Sequence, residues 1–222
     1  MEKTKIYFNN CDTDFLKEAF SLKNVEKSDV LEHWLLRSSQ CSISDFEKTM
    51  LEFLQKLIFF KRLDWNEIEL KEQFIGPLMT LVGYNTEKFS CFAERTISAA
   101  VGEYFLTGEP DMFVACGQKK PKPPFFCFHE YKRIIDNQGD PEGQVLAAML
   151  AAQTLNNNET PIYGVYVIGL QWTFLILENK NFCVTQSYNS DNFEMIQAIF
   201  RMLKAIKEMF LEKFQNISNI SR

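Results

Sequence analysis

The chain is poor in histidine. It has two, His33 and His129, and neither stands near a pair of cysteines. Its six cysteines never fall at C-x-x-C spacing. These absences leave no usual zinc ligand set and point to buried, reduced thiols in a cytoplasmic protein. A GxxxxGK[ST] loop is also missing, so no ATP-driven motor is expected. No apolar run is long enough to span a bilayer. The most apolar one, Ile162 to Leu177, is interrupted by Gly164, Gly169 and Gln171. The N-terminal MEKTKIYFNN is charged and lacks the apolar segment of a signal peptide, which again predicts a cytoplasmic chain with no membrane partner. Positive charge is not in excess either: the net charge is −5. No global basic field advertises nucleic acid, although a local basic stripe or a divalent cation can bring phosphate to an acidic protein.

What is present is an ordinary globular composition, long enough for one sizeable core. Phe15, Leu16, Ala19, Phe20 and Leu22 recur at helical spacing. Val30 to Leu35 suggests a second short helix. Ser44 and Glu47 form a capping box ahead of a third, with Phe46, Met50, Phe53, Leu54, Leu57 and Ile58 as its stripe. Residues 1–64 therefore read as a helical N-terminal extension, with a protein partner as its expected ligand and no chemistry of its own. Asn66 and Glu69 open the next helix, which Pro77 should kink and Gly83 should end. Glu72 lies four residues after Ile68 and is expected beside the buried face. On helical geometry alone it reads as a solvated carboxylate.

Lys88–Phe92 and Thr96–Leu106 look extended. Met112–Cys116 and Phe125–Phe128 flank a Gly/Pro turn and predict a β-hairpin. Asp140 should cap a helix running from Pro141 to Leu155. Three short strands follow between residues 162 and 186, and a closing helix begins near Asp191. Residues 216–222 are expected to fray. The order predicts an α/β fold, a mixed β-sheet flanked by helices, in a domain spanning residues 65–215.

The hairpin carries the chemistry. Residues two apart in a strand share a face, so Glu130 and Lys132 project together, with Phe126 and Phe128 continuing that face. An antiparallel partner brings Asp111 to the same end. Two carboxylates beside an amine suit Mg²⁺, which takes hard oxygen ligands, with the Tyr131 carbonyl as a third donor and Mn²⁺ as a substitute. They are also compatible with an ion-paired strand end. The basic turn at Lys119, Lys120 and Lys122 is either a phosphate contact or a solvated loop.

The order of these features resembles the PD-(D/E)XK nuclease superfamily: a helix bearing Glu72, then Gly108-Glu109-Pro110-Asp111, then Glu130-Tyr131-Lys132, then a helix bearing Gln144. Within it the chain looks most like the N-terminal nuclease domain of type I restriction endonuclease motor subunits and their stand-alone relatives, over residues 65 to 210. The resemblance implies a restriction-endonuclease-like core and Mg²⁺-dependent hydrolysis of DNA phosphodiester bonds. It implies metal ligation by Asp111 and Glu130, catalytic roles for Lys132, Glu72 and Gln144, and DNA contact by Lys119, Lys120 and Lys122. Ala148 stands where the family often has Tyr. The alternative is a catalytically inactive nuclease-fold module that binds nucleic acid or protein.

Overall fold

The computed structural model describes residues 3–61, 64–133, 139–157 and 160–220. In chain order the elements are strand β1 (Thr4–Tyr7), helix α1 (Thr13–Phe20), strand β2 (Lys23–Asn24), and helices α2 (Asp29–Gln40), α3 (Asp45–Lys61) and α4 (Glu67–Leu70). A π-helical turn, Lys71–Ile75, joins α4 to α5 (Gly76–Val82). Strands β3 (Phe89–Ala93), β4 (Ile97–Val101), β5 (Tyr104–Gly108), β6 (Met112–Cys116) and β7 (Lys122–Lys132) follow. Then come α6 (Pro141–Leu155), β8 (Ile162–Ile168), β9 (Gln171–Glu178), β10 (Asn181–Val184), β11 (Tyr188–Asn189) and α7 (Phe193–Ile220).

The fold is a mixed α/β sandwich. An 8-stranded sheet runs β2-β10-β9-β8-β7-β6-β3, with β11 attached to β9. Within it β3, β6 and β7 are antiparallel neighbours, and α6 crosses over to set β8 parallel to β7. One face packs against α2, α3, α5 and α7, where Phe126 and Tyr163 meet Phe210. The other face packs against α6. Every residue of α6 from Gly143 to Gln153 is buried. A helix without a polar face needs cover on all sides. The large sheet covers one side of α6; α1 and a second, 3-stranded sheet, β1-β5-β4, cover the other.

The described residues of this N-terminal stretch do not form the appended, wholly helical unit expected from their periodicity. Besides α1, α2 and α3 they supply two strands, β1 pairing with β5 and β2 with β10. Trp34 is fully buried against Tyr163 and Phe174, and its Nε1 donates to the Met202 carbonyl at 2.8 Å. Two-residue pairings such as β2 leave too little periodicity to read. The stretch 96–106 is likewise two strands, turned at Gly102, and not one. Asp140 leaves α6 uncapped; its carboxylate instead accepts the backbone N–H and hydroxyl of Thr13, at 2.8 and 2.5 Å. α7 continues as helix to Ile220, past the point where fraying was expected.

Gly143 shows how closely the N-terminal segment is seated. A Cβ there would lie 2.6 Å from the Cys11 carbonyl oxygen. Gly143→Ala should lower stability by about 1–3 kcal/mol through overpacking. That outweighs the roughly 1 kcal/mol alanine ordinarily adds within a helix. Urea unfolding measures it, and an unchanged or raised midpoint would mean the segment rests loosely on α6.

Candidate active site

Pro110 and Asp111 end the ladder between β6 and β7. Met112 still pairs with His129, but Pro110 has no N–H to offer farther on. There one oxygen of the Asp111 carboxylate accepts the Tyr131 N–H at 2.7 Å. The N–H and carbonyl of a strand residue face the same edge, so the Tyr131 carbonyl opens toward Asp111 as well. Beyond the end of β6, β7 continues alongside β8 as far as Lys132. Glu130 and Lys132 share one face there, and their side chains meet at 2.7 Å.

These groups line a cleft of about 420 Å³ with Gln144, Val145 and Ala148 of α6, and with Tyr7, Phe8 and Asn9. The structure thus brings together Asp111, Glu130, Lys132 and Gln144, as their order in the sequence predicts. A roomier hollow, about 540 Å³, lies at the other end of α6; no carboxylate lines it.

Glu72 is not brought in. It is solvent-exposed and does not line the cleft. The expectation placed it beside Ile68 on a buried face, but Ile68 is itself 65% exposed. The buried side of this helix follows Leu70, Phe74 and Ile75. The backbone widens to π geometry just before Pro77, whose ring would clash with the carbonyl four residues back in a regular helix. The neighbouring residue, Lys71, reaches the site instead. Its ammonium lies 2.5 Å from the second Asp111 oxygen and 3.0 Å from Glu67, one turn back on α4. Glu67 and Lys71 were legible as an i,i+4 pair, with the acid N-terminal to the base.

The basic turn lies elsewhere. Lys119, Lys120 and Lys122 are exposed at the β6–β7 turn, the opposite end of the hairpin from Asp111. Five strand residues separate the two ends, roughly 17 Å at the usual rise. These lysines cannot touch a phosphate held at the carboxylates. A β-bulge between Val114 and Ala115 also inserts Phe126, sending it to the α7 face while Phe125 and Phe128 face α6. The predicted Phe126–Phe128–Glu130 face therefore begins only at Phe128. Asn156 pairs with both backbone groups of Phe125 and holds the bulge.

Burial pushes the Glu130 carboxyl up to about 7; the Asp111 charge adds to this, and Lys132 and Lys71 pull against it. Burial disfavours the Lys132 ammonium, but Glu130 and then Asp111 outweigh it and raise its pKa. Lys71 is likewise raised, by Asp111 and then Glu67 acting against burial. On the opposite face of β7, His129 is fully buried between Cys127 and the Tyr131 hydroxyl, and burial lowers its pKa to about 3. It stays neutral and faces away from Glu130.

Two hard carboxylates and a carbonyl suit Mg²⁺ in donor type. Among the described residues no group of three or more His, Cys, Asp or Glu side chains gathers to hold a metal. Any cation would therefore depend on backbone oxygen and water as well as Asp111 and Glu130. No described helix is long and apolar enough to cross a membrane.

The raised Glu130 sets a pH dependence. Its pKa lies above the ordinary 4.5, so its contribution to stability is present below that value and lost as pH rises through about 7. Glu142 is also raised and slopes the same way, while neutral His129 slopes oppositely below its ordinary 6.5. Comparing Glu130→Gln with the parent isolates the effect. Without metal, the parent should gain stability relative to the variant as pH falls from 8 to 5.5. Thermal melts across that range that run parallel would remove the buried-charge account.

No protein-family model matches the chain, and no curated protein is significantly similar to it. The functional reading rests on the geometry of the site.

Proposed function

We propose that the chain is a metal-dependent nuclease that hydrolyses DNA phosphodiester bonds. The observation that carries this reading is the meeting of Asp111, at the start of β6, with Glu130 and Lys132, at the end of β7, in one cleft. Within the large sheet, a helix, the antiparallel strands β3, β6 and β7, a crossover helix and the parallel strand β8 support a restriction-endonuclease-like core, with β4 and β5 inserted as part of the small sheet.

Asp111, Glu130 and the Tyr131 carbonyl would hold Mg²⁺, or Mn²⁺ in its place. When bound, the ion supplies polarisation of a phosphate oxygen and a lowered pKa for water. Lys132 keeps its proton and donates to a non-bridging phosphate oxygen as charge builds there. Glu130 keeps that ammonium in place from 2.7 Å away. Water attacks phosphorus and gives up a proton to solvent, the P–O bond to the leaving sugar oxygen breaks, and that oxygen takes up a proton from solvent. Gln144, held on the rigid α6, orients substrate from the cleft wall.

One observation favours the second reading, an inactive nuclease-fold module that binds nucleic acid or protein. The Lys71 ammonium on Asp111 occupies a position where a cation would be held. Incubation with linear, circular and single-stranded DNA, with Mg²⁺, Mn²⁺ or EDTA, separates the two. Cleavage should need metal. Asp111→Asn and Lys132→Met should each lower it by about 10²-fold or more, while Glu72→Gln, on the solvent side, should leave it nearly unchanged. Metal-independent cleavage would overturn the mechanism. An absence of cleavage at millimolar metal, with retained DNA binding, would put the second reading in its place.

A further inference from the structure

The small sheet β1-β5-β4 has two unlike faces. Ile6, Tyr104, Leu106, Ala99 and Val101 pack inward with α6 and α1. The outer face, by strand alternation, carries Lys5 and Tyr7 from β1, with Phe105 beside them on β5, while Lys3, just ahead of β1, donates to the Gly102 carbonyl at 2.7 Å. Tyr7 is 48% exposed and Phe105 37%. The Lys5 ammonium lies 4.7 Å from the centre of the Tyr7 ring. At one end this face runs into the cleft, since Tyr7 and Thr107 line it together with Asp111 and Lys132. The approach is fixed: Phe8 packs on Gly108 so tightly that a Cβ there would lie 2.4 Å from its ring.

We infer that this basic, aromatic sheet face is a binding platform for single-stranded DNA, feeding one strand into the cleft past Tyr7. The exposed Tyr7 ring offers a surface to a base, and the Lys5 ammonium beside it meets a flanking phosphate. In a duplex the base faces are already stacked on one another; only an unpaired strand presents them. The cleft, at about 420 Å³, has room for a group the size of a small ligand and so for one nucleotide at a time. On a chain of net charge −5, a lysine beside exposed rings marks a surface for an anion. The inference rests on the nuclease reading for what happens in the cleft, but the platform's binding does not require cleavage.

The test is fluorescence anisotropy in EDTA with an oligodeoxythymidine of about twelve nucleotides and a duplex of the same length. The parent should prefer the single strand. Tyr7→Ala should weaken it about tenfold, Lys5→Ala should weaken it too, and Tyr7→Phe should restore it. Lys48→Ala, an exposed charge on α3, controls for net charge, and thermal melts control for folding. Equal binding by parent, Tyr7→Ala and Lys5→Ala would overturn the inference, as would preference for duplex or self-association through this face. Cleavage in Mg²⁺ distinguishes the two claims. Binding that depends on Tyr7 without cleavage sinks the nuclease reading alone. Cleavage of single strands with a KM unchanged by Tyr7→Ala sinks the platform alone.

Discussion

Asp111 accepts the Tyr131 N–H through one oxygen and the Lys71 ammonium through the other. Three elements meet on that carboxylate: the π-helical turn after α4, the start of β6, and the end of β7. Pro110 has no N–H to give the Tyr131 carbonyl across the ladder, so the regular pairing of β6 with β7 stops there. The Tyr131 N–H is taken by the Asp111 side chain. β7 runs on for three more residues, Glu130 to Lys132, paired with β8. What looks like a recognition motif is first a way of ending a ladder while keeping the Tyr131 N–H bonded.

Local rules made much of the fold readable. The capping boxes at Ser44/Glu47 and Asn66/Glu69 both form, because each needs only residues three apart. The alanine-rich span from Pro141 to Leu155 is a helix with those ends. The parity of Glu130 and Lys132 survives because no irregularity lies between them. The readings that failed all depended on something non-local. Glu72 was placed by assuming that Ile68 faces inward, but Ile68 sits at the first turn of a helix whose buried side is decided by Phe74 and Leu78. Asp140 had a nearer helix to cap and a more distant threonine to bind; tertiary packing chose the threonine. Phe126 changed face because of one inserted residue, which alternation cannot reveal.

The N-terminal segment illustrates the same limit on a larger scale. Its helices carry an apolar stripe that reads as self-sufficient, yet Trp34 and Ile58 belong to the core of the large sheet. Tyr7, Phe8 and Asn9 wall the cleft. A four-residue strand at the edge of a separate small sheet has almost no sequence signature. Its importance shows in residues far away, in the absence of a side chain at Gly108 and Gly143, where any Cβ would strike the N-terminal backbone or Phe8.

Charge balance in the cleft follows from how the helix and the hairpin were brought together. Asp111 and Glu130 are mostly buried, with side chains 12% and 11% exposed. Carboxylates so close and so dry cannot both stay ionised without cations nearby. Lys132 serves Glu130, and Lys71 serves Asp111 while also satisfying Glu67. The two proposed readings differ chiefly in what becomes of Lys71. On the nuclease reading a divalent cation held by Asp111 and Glu130 would take over the charge on Asp111, leaving Lys71 to Glu67. On the binding reading Lys71 stays, and the same ion pair is a permanent fastening between helix and hairpin. One ammonium, one turn along from Glu67, is therefore the group on which catalysis and structure compete.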